Sequence, residues 1–204
     1  MNAKITATAH NAPEKVMTNF DLEKLVDTSD EWIRSRTGIV QRHVVAEDEA
    51  SSDISTRIAN SLLEESQMSP DDLDLILVGT VTPDHFTPST AALVQKNIKA
   101  NNAWGYDLSA ACSGFLFGLE TGANFIASGR YKKVMVIGVD TMTSILDFQD
   151  RDTCVIFGDG GGGVILEPTS NGNGIVDSIL HMDGSGGDYL IVPGGGSRIP
   201  ASVE

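Results

Sequence analysis

Cys112 lies in the run Trp104-Gly105-Tyr106-Asp107-Leu108-Ser109-Ala110-Ala111-Cys112-Ser113-Gly114-Phe115, whose residue types suit a nucleophile. The apolar start reads as a strand ending near Leu108. Small residues then predict a tight turn, and a helix is predicted to begin at the cysteine. Phe115, Leu116, Leu119, Ala123 and Ile126 recur three or four apart along that helix, which should end near Gly129. A cysteine at a helix start meets unpaired backbone N–H groups and the positive end of the helix dipole, both of which favour thiolate over thiol. Ser109, Ala110, Ala111, Ser113 and Gly114 leave room for a substrate carbonyl. The combination predicts a cysteine that accepts an acyl group. By residue type alone, Cys112 also fits a small buried hydrophobe.

The elements that must position this turn can be read in order. Residues 4–9 predict a first strand, closed by Asn11-Ala12-Pro13. Asn19 caps a helix to about Val26, and Thr28-Ser29-Asp30-Glu31 has the form of a capping box. That box opens a short helix bearing Trp32, Ile33, Arg34 and Arg36, ended by Gly38; residues 39–45 suit a strand and 46–50 an acidic loop. Ile54, Ile58 and Leu62, with Ala59 and Leu63, form one apolar face of a helix over 53–67. Ser69-Pro70 suits a cap and first turn, and residues 73–81 read as a strand buried on both faces. A loop at 82–88 leads to a helix at 89–98, and residues 133–139 predict another buried strand. Strands alternating with helices favour an α/β sheet covered by helices, whose ligands gather near the carboxyl ends of strands. Residues 175–180 suit a last strand, and the tail 183–204 is rich in Gly, Ser and Pro.

Composition narrows the classes. The chain has 204 residues, enough for one substantial domain, with 14 Lys and Arg against 28 Asp and Glu and a net charge of −14. That balance argues against a general nucleic-acid binder, whose affinity rests on neutralising phosphates. Two cysteines, Cys112 and Cys154, are too few for a disulfide framework, so a reducing cytoplasm is the expected compartment. No stretch has the pattern of a signal peptide or the length of a membrane span.

Several stretches together carry a family resemblance: residues 18–25, 26–33, 36–39, Ala110-Ala111-Cys112-Ser113-Gly114-Phe115, Asp150-Arg151, Ile156-Phe157-Gly158-Asp159-Gly160 and Asp183-Gly184-Ser185. The sequence resembles the N-terminal portion of β-ketoacyl-acyl-carrier-protein synthase III, the condensing enzyme that initiates type II fatty-acid synthesis. The resemblance implies a thiolase-like α/β fold, the first half of a layered αβαβα architecture with a mixed sheet flanked by helices, assembled as a homodimer. Residues 1–174 would form the half carrying the nucleophile, and 175–204 the start of the connection to a second half.

The resemblance also implies chemistry. Cys112 matches the nucleophile that takes an acyl group from an acyl-CoA primer and condenses it with malonyl-acyl carrier protein, releasing carbon dioxide. Acyl-CoA is then a substrate, and no cofactor or metal is expected. Neither nucleic acid nor membrane is an expected partner. Trp32 and Arg151 match residues that sandwich the adenine of coenzyme A, Thr28 a polar contact to it, and Arg36 a contact to the phosphates. Without the match, Trp32 reads as a helix anchor and the two arginines as surface charges.

Thr87, Met142 and Phe157 match acyl-pocket positions. Thr87, where many members carry phenylalanine, implies room for longer or branched primers. Asp152 stands where glycine is frequent, and its carboxylate opposes nucleotide phosphates. Cys154 matches an ordinary apolar position. The family's catalytic histidine and asparagine belong to the second half, and His10, His43, His85 and His181 match neither context. Docking of acidic acyl carrier protein is expected mainly there too, because Arg130, Lys132 and Lys133 form only one small cluster, read as a solvated turn.

Three rivals accompany this reading. Gly158-x-Gly160-x-x-Gly163 fits a dinucleotide-loop spacing, but Val164-Ile165-Leu166 after it reads as a strand rather than the helix such a loop needs. Another thiolase-fold condensing enzyme, 3-hydroxy-3-methylglutaryl-CoA synthase-like or alkylquinolone-type, is the second. A non-catalytic fragment that binds coenzyme A or dimerises is the third.

Overall fold

Apolar stretches that alternate between two cores organise the chain, as seen in a computed structural model that describes residues 2–202. Five strands form the main sheet: β1 (Asn2–Asn11), β4 (Leu75–Gly79), β5 (Trp104–Leu108), β6 (Val134–Thr141) and β7 (Asp159–Thr169), in the order β1-β7-β6-β4-β5. β4 runs parallel to both β5 and β6, while β7 is antiparallel to β6 and to β1. A separate hairpin-like pair joins β2 (Val16–Thr18) to β3 (Gln41–His43).

The period-2 alternation of strand side chains sends each central strand's residues to two faces. On one face Ile76, Val78, Met135 and Ile137 pack under α3 (Ser51–Ser66) and α4 (Thr90–Ile98). On the other, Leu75, Leu77, Val134 and Val136 pack with Ile126 of α5 (Gly114–Ala127). The continuous apolar runs predicted for 73–81 and 133–139 are therefore strands covered on both sides. Ile54, Ile58 and Leu62 of α3 are fully buried, each such side chain contributing about 1.5–3 kcal/mol.

A satellite core holds the rest. Leu22 and Ile33 pack with Cys154 and Val155, joining α1 (Asn19–Leu22), α2 (Asp30–Thr37) and α6 (Arg151–Cys154). This core places residues 16–43 beside residues 151–157.

Several elements differ from expectation for local reasons. α1 is capped by Thr18 rather than Asn19: Thr18 and Asp21 exchange hydrogen bonds, and regular helix stops at Leu22. Ser29 rather than Thr28 caps α2, its Oγ accepting from Trp32 N at 3.1 Å. Glu23 from the preceding turn adds a further bond at the helix start, its carboxylate accepting from Asp30 N at 2.7 Å. Gly38 ends α2 as expected, at φ +75°. The strand predicted for 39–45 is only Gln41–His43.

Residues 175–180 form no strand. One bond, Ile175 N to Ala3 O at 2.8 Å, is the start of pairing, after which Val176 and Ile179 turn out to solvent, each 81% exposed. The last two residues of the predicted tail lie outside the described residues. Among those described, no helix is long and apolar enough to cross a membrane.

Candidate active site

Cys112 is exposed at the junction between β5 and α5. Regular α-helix begins at Gly114, two residues later than predicted, and the cysteine itself sits in a 3₁₀ turn over Ala111–Ser113. The reason lies in the backbone just before it. Ala111 adopts φ +46°, a left-handed conformation uncommon for a residue with a Cβ, and the tighter turn bridges that corner to the helix.

Backbone contacts hold the turn. A Cβ added to Gly79, at the end of β4, would stand 2.7 Å from the carbonyl carbon of Gly114. At Gly138 on β6, it would meet the Cβ of Phe115 at 2.9 Å. Glycine at the end of β4 and within β6 lets the start of α5 lie directly on the sheet.

Beside the sulfur opens a cavity of about 360 Å³, walled by Ala111, Cys112 and Phe115, by Gly138 and Asp140 of β6, and by Gly158 and the glycines of β7. The glycine run 160–163 is thus strand, not the turn of a dinucleotide loop, and Val164-Ile165-Leu166 continue that strand. A larger depression of about 730 Å³ near Glu49, Asp53 and Arg57 contains no cysteine or histidine.

The wall is braced by carboxylates that the sequence reading passed over. Asp140 Oδ1 accepts from Thr80 Oγ1 and Thr82 Oγ1 and from the amides of Val81 and Thr82, at 2.8 to 3.3 Å. It thereby fixes the start of the 82–88 loop. Asp84 ties the same loop to α3 through Ser52 N at 2.9 Å and Ser52 Oγ at 2.7 Å. Buried Asp159 accepts from Val45 N and Thr143 N and from the Thr143 hydroxyl. Asp107 of β5 accepts from Thr90 N and Ala91 N, placing negative charge at the start of α4. Asp107 and Asp159 fall within the sequence stretches around Cys112 and Phe157, but only tertiary contact reveals what these four carboxylates bind.

Trp32, Arg36 and Arg151 are brought together. The Arg36 guanidinium lies 4.7 Å from the Trp32 ring centroid and that of Arg151 4.8 Å from it. Arg151 Nη1 also donates to Asp27 O at 3.2 Å, which sets it beside Thr28. The Thr28 hydroxyl is buried with no hydrogen-bond partner among the described residues. Both guanidiniums therefore lie over the Trp32 ring within cation–π range.

Thr87, Met142 and Phe157 stand outside the walls of the Cys112 cavity. Met142 and Phe157 are half-buried, Met142 in the turn two residues after Asp140 and Phe157 immediately before Gly158. Thr87 is exposed in the 82–88 loop, next to Phe86, which is 90% exposed. His10, His43, His85 and His181 also lie outside the cavity walls. Cys154 is fully buried, as its match to an apolar position implies, and burial pushes its thiol pKa up, which disfavours the thiolate. Among the described residues, no group of three His, Cys, Asp or Glu is placed to hold a metal ion.

Comparison with known proteins adds independent findings. The family model for 3-oxoacyl-[acyl-carrier-protein (ACP)] synthase III matches residues 106–184. The chain is 56% identical over 207 residues to β-ketoacyl-[acyl-carrier-protein] synthase III of Chlorobaculum tepidum, covering 100% of this chain and 63% of that protein. It is 53% identical to the protein of that name from Koribacter versatilis, covering 99% of this chain and 61% of the relative. Among solved structures, the synthase III of Aquifex aeolicus is 47% identical with a TM-score of 0.81, over 83% of this chain and 55% of that one. That of Thermus thermophilus is 40% identical with a TM-score of 0.88, over 92% and 58%.

The chain therefore spans 61–63% of the length of these curated relatives. Its mixed sheet flanked by helices is the thiolase-like architecture expected from the sequence. In sequence and in fold, the chain is similar to the N-terminal portion of these β-ketoacyl-[acyl-carrier-protein] synthase III proteins.

Proposed function

We propose that the protein carrying this chain is a condensing acyltransferase that initiates type II fatty-acid synthesis, with Cys112 as the acyl acceptor. The observation that carries this reading is an exposed cysteine in a tight turn, at the mouth of a cavity where the ends of β4, β6 and β7 meet α5. The Cys112 thiolate attacks the carbonyl carbon of an acyl-CoA thioester, and backbone N–H groups of the turn stabilise the oxyanion. The new carbon–sulfur bond forms as the bond to coenzyme A sulfur breaks, and coenzyme A leaves as its thiolate. Condensation with malonyl-acyl carrier protein then uses groups of the family's second half.

Trp32, Arg36, Arg151 and Thr28 form the nucleotide end of the coenzyme A site. Their convergence from α2, α6 and the turn at 27–28 supports this, as does the unpartnered Thr28 hydroxyl. It also favours synthase III over other condensing enzymes of the fold. For adenine to enter, Arg151 swings off Trp32. Met142 and Phe157, close in the chain to the wall residues Asp140 and Gly158, back the acyl pocket. Thr87, exposed on the 82–88 loop, closes the pocket of the second copy in the homodimer, where threonine suits longer or branched primers.

The protein works as a homodimer. β5 is an outer strand of the sheet, and its first residue, Trp104, 43% exposed, clusters with Phe125 and Tyr131 at 5.6 and 5.8 Å, a patch suited to a second copy. Residues 1–174 act as the nucleophile-bearing half and 175–204 as the start of the connection. Two unpaired cysteines suit a reducing cytoplasm.

An intact mass spectrum after incubation with acetyl-, isobutyryl- or octanoyl-CoA tests the reading. An acyl adduct absent from Cys112→Ser is expected, with the branched and longer groups retained. No adduct from any primer would reject Cys112 as the acceptor, and acetyl-only labelling would reject the assignment of Thr87.

A further inference from the structure

Arg42 is a buried cation, 5% exposed, and forms no ion pair among the described residues. Burial lowers its pKa, and its Nε has no hydrogen-bond partner among the described residues. A charge kept out of water without a counter-ion is a poor way to build a core, because an apolar side chain of similar volume often packs there at equal or greater stability. What the guanidinium touches gives it a different use.

Its planar fork makes three hydrogen bonds to two segments far apart in the chain, residues 17–19 and Val155. Nη1 donates to Met17 O of β2 at 3.3 Å, and Nη2 donates to Asn19 Oδ1 at 2.9 Å and to Val155 O at 3.2 Å. Val155 is the residue that ends α6, whose first residue is Arg151, and it precedes Phe157 by two positions. Asn19, itself fully buried, spends its amide on both ends of α2: Nδ2 donates to Asp30 Oδ1 at 2.9 Å and to Ile39 O at 2.8 Å. The stem of Arg42 is also wedged against the cavity wall, since a Cβ on Gly158 would lie 2.7 Å from the Arg42 Cβ. One side chain therefore links the helix that carries Trp32 and Arg36, the helix that carries Arg151, and the strand entry that carries Phe157 and Gly158.

We propose that Arg42 is a positioning residue, which through Asn19 and Val155 holds the two sides of the Trp32–Arg151 platform in register with each other and with the wall of the Cys112 cavity. This rests on the coenzyme A reading above. A lysine cannot replace it, because a point charge on a flexible stem cannot donate in three fixed directions. The hydrogen bonds are shared among segments that touch nucleotide, so their loss falls on substrates that carry the nucleotide.

The test compares two acyl donors with the intact protein: acetyl-CoA, and the N-acetylcysteamine thioester, which has no nucleotide. Parent, Arg42→Met, Arg42→Lys and Asn19→Asp are compared; the last keeps an acceptor for Arg42 but loses the donors to α2. In the variants, acylation of Cys112 by acetyl-CoA falls about 10- to 100-fold, mainly through KM, while the short thioester loses only about twofold. The ratio between donors is independent of how much protein is folded. Equal losses with both donors overturn the proposal, as does full recovery of acetyl-CoA use by Arg42→Lys.

Coenzyme A binding, followed by tryptophan fluorescence, separates this from the acyl-transfer reading. A parent that binds coenzyme A but takes no acyl group defeats that reading alone. The binding arm then decides Arg42: weaker binding in Arg42→Met supports the proposal, and equal affinity overturns it. A parent that fails to bind coenzyme A overturns it as well.

Discussion

Cys112 stands on the main sheet, whereas Trp32 stands on the satellite core of Leu22, Ile33, Cys154 and Val155. The first region is positioned by close packing: Gly79 and Gly138 let α5 lie directly on β4 and β6, with their large core behind. The second is positioned by long side chains, with Arg36 and Arg151 stacked on Trp32 and Arg42 anchoring the helices beneath. Backbone contacts leave no room to adjust, while guanidinium stacks at a surface rearrange at small cost. The difference suits the two tasks. Under the proposed function, the nucleophile would need a fixed geometry and the nucleotide platform would have to open to admit its ligand.

The comparison breaks most severely at the turn. Gly79→Ala puts a methyl group against the Gly114 backbone, which has no flexible side chain to move aside. It should cost about 1–3 kcal/mol in denaturant unfolding. Acylation of Cys112 should slow about 100-fold as the turn shifts. Wild-type acylation in this variant would show that the turn is not held by that contact.

At the platform the effects are smaller and confined to nucleotide-bearing substrates. Trp32→Ala should weaken coenzyme A binding about 5- to 30-fold, the value of one to two lost stacks, as measured by calorimetry. Acylation by a thioester without a nucleotide should stay nearly unchanged, and an equal loss there would remove the distinction between the regions. Asp152→Gly should tighten coenzyme A only about two- to fivefold, and the gain should shrink as salt is raised.

The smallest effect concerns the thiol beneath the platform. Burial raises the Cys154 pKa above its ordinary 9.0, so the neutral form is favoured in the fold. Its contribution to stability is complete below the unfolded value and is lost as pH rises through the raised one. Unfolding free energies of parent and Cys154→Ala should therefore converge with increasing alkalinity above about pH 9. A constant difference across that range would mean that Cys154 is not held as a neutral thiol.

Much of this was legible in the chain because the signals are local. The runs at 73–81 and 133–139 announced doubly covered strands, the α3 face followed from Ile54, Ile58 and Leu62, and Gly38 marked the end of α2. Boundaries slipped at the caps. At α2, Ser29 rather than Thr28 accepts from the Trp32 amide, while Glu23 from the preceding turn takes the Asp30 amide. The strand expected at 175–180 failed because pairing with β1 ends after a single bond to Ala3.

By itself the sequence determined the α/β alternation, the small-residue turn at Cys112 and the types of side chain available for stacking. These depend on period, turn chemistry and residue identity, which neighbours in the chain settle. Tertiary structure alone decided that Cys112 sits in a 3₁₀ turn ahead of the helix, that the 160–163 glycines form a cavity-lining strand, and that Arg42 binds two distant segments into one frame. Each outcome depends on contacts between residues far apart in the chain: Gly79 with Gly114, β7 with β6, Arg42 with Val155. Local propensity carries no term for such contacts, so they are settled only when the chain packs.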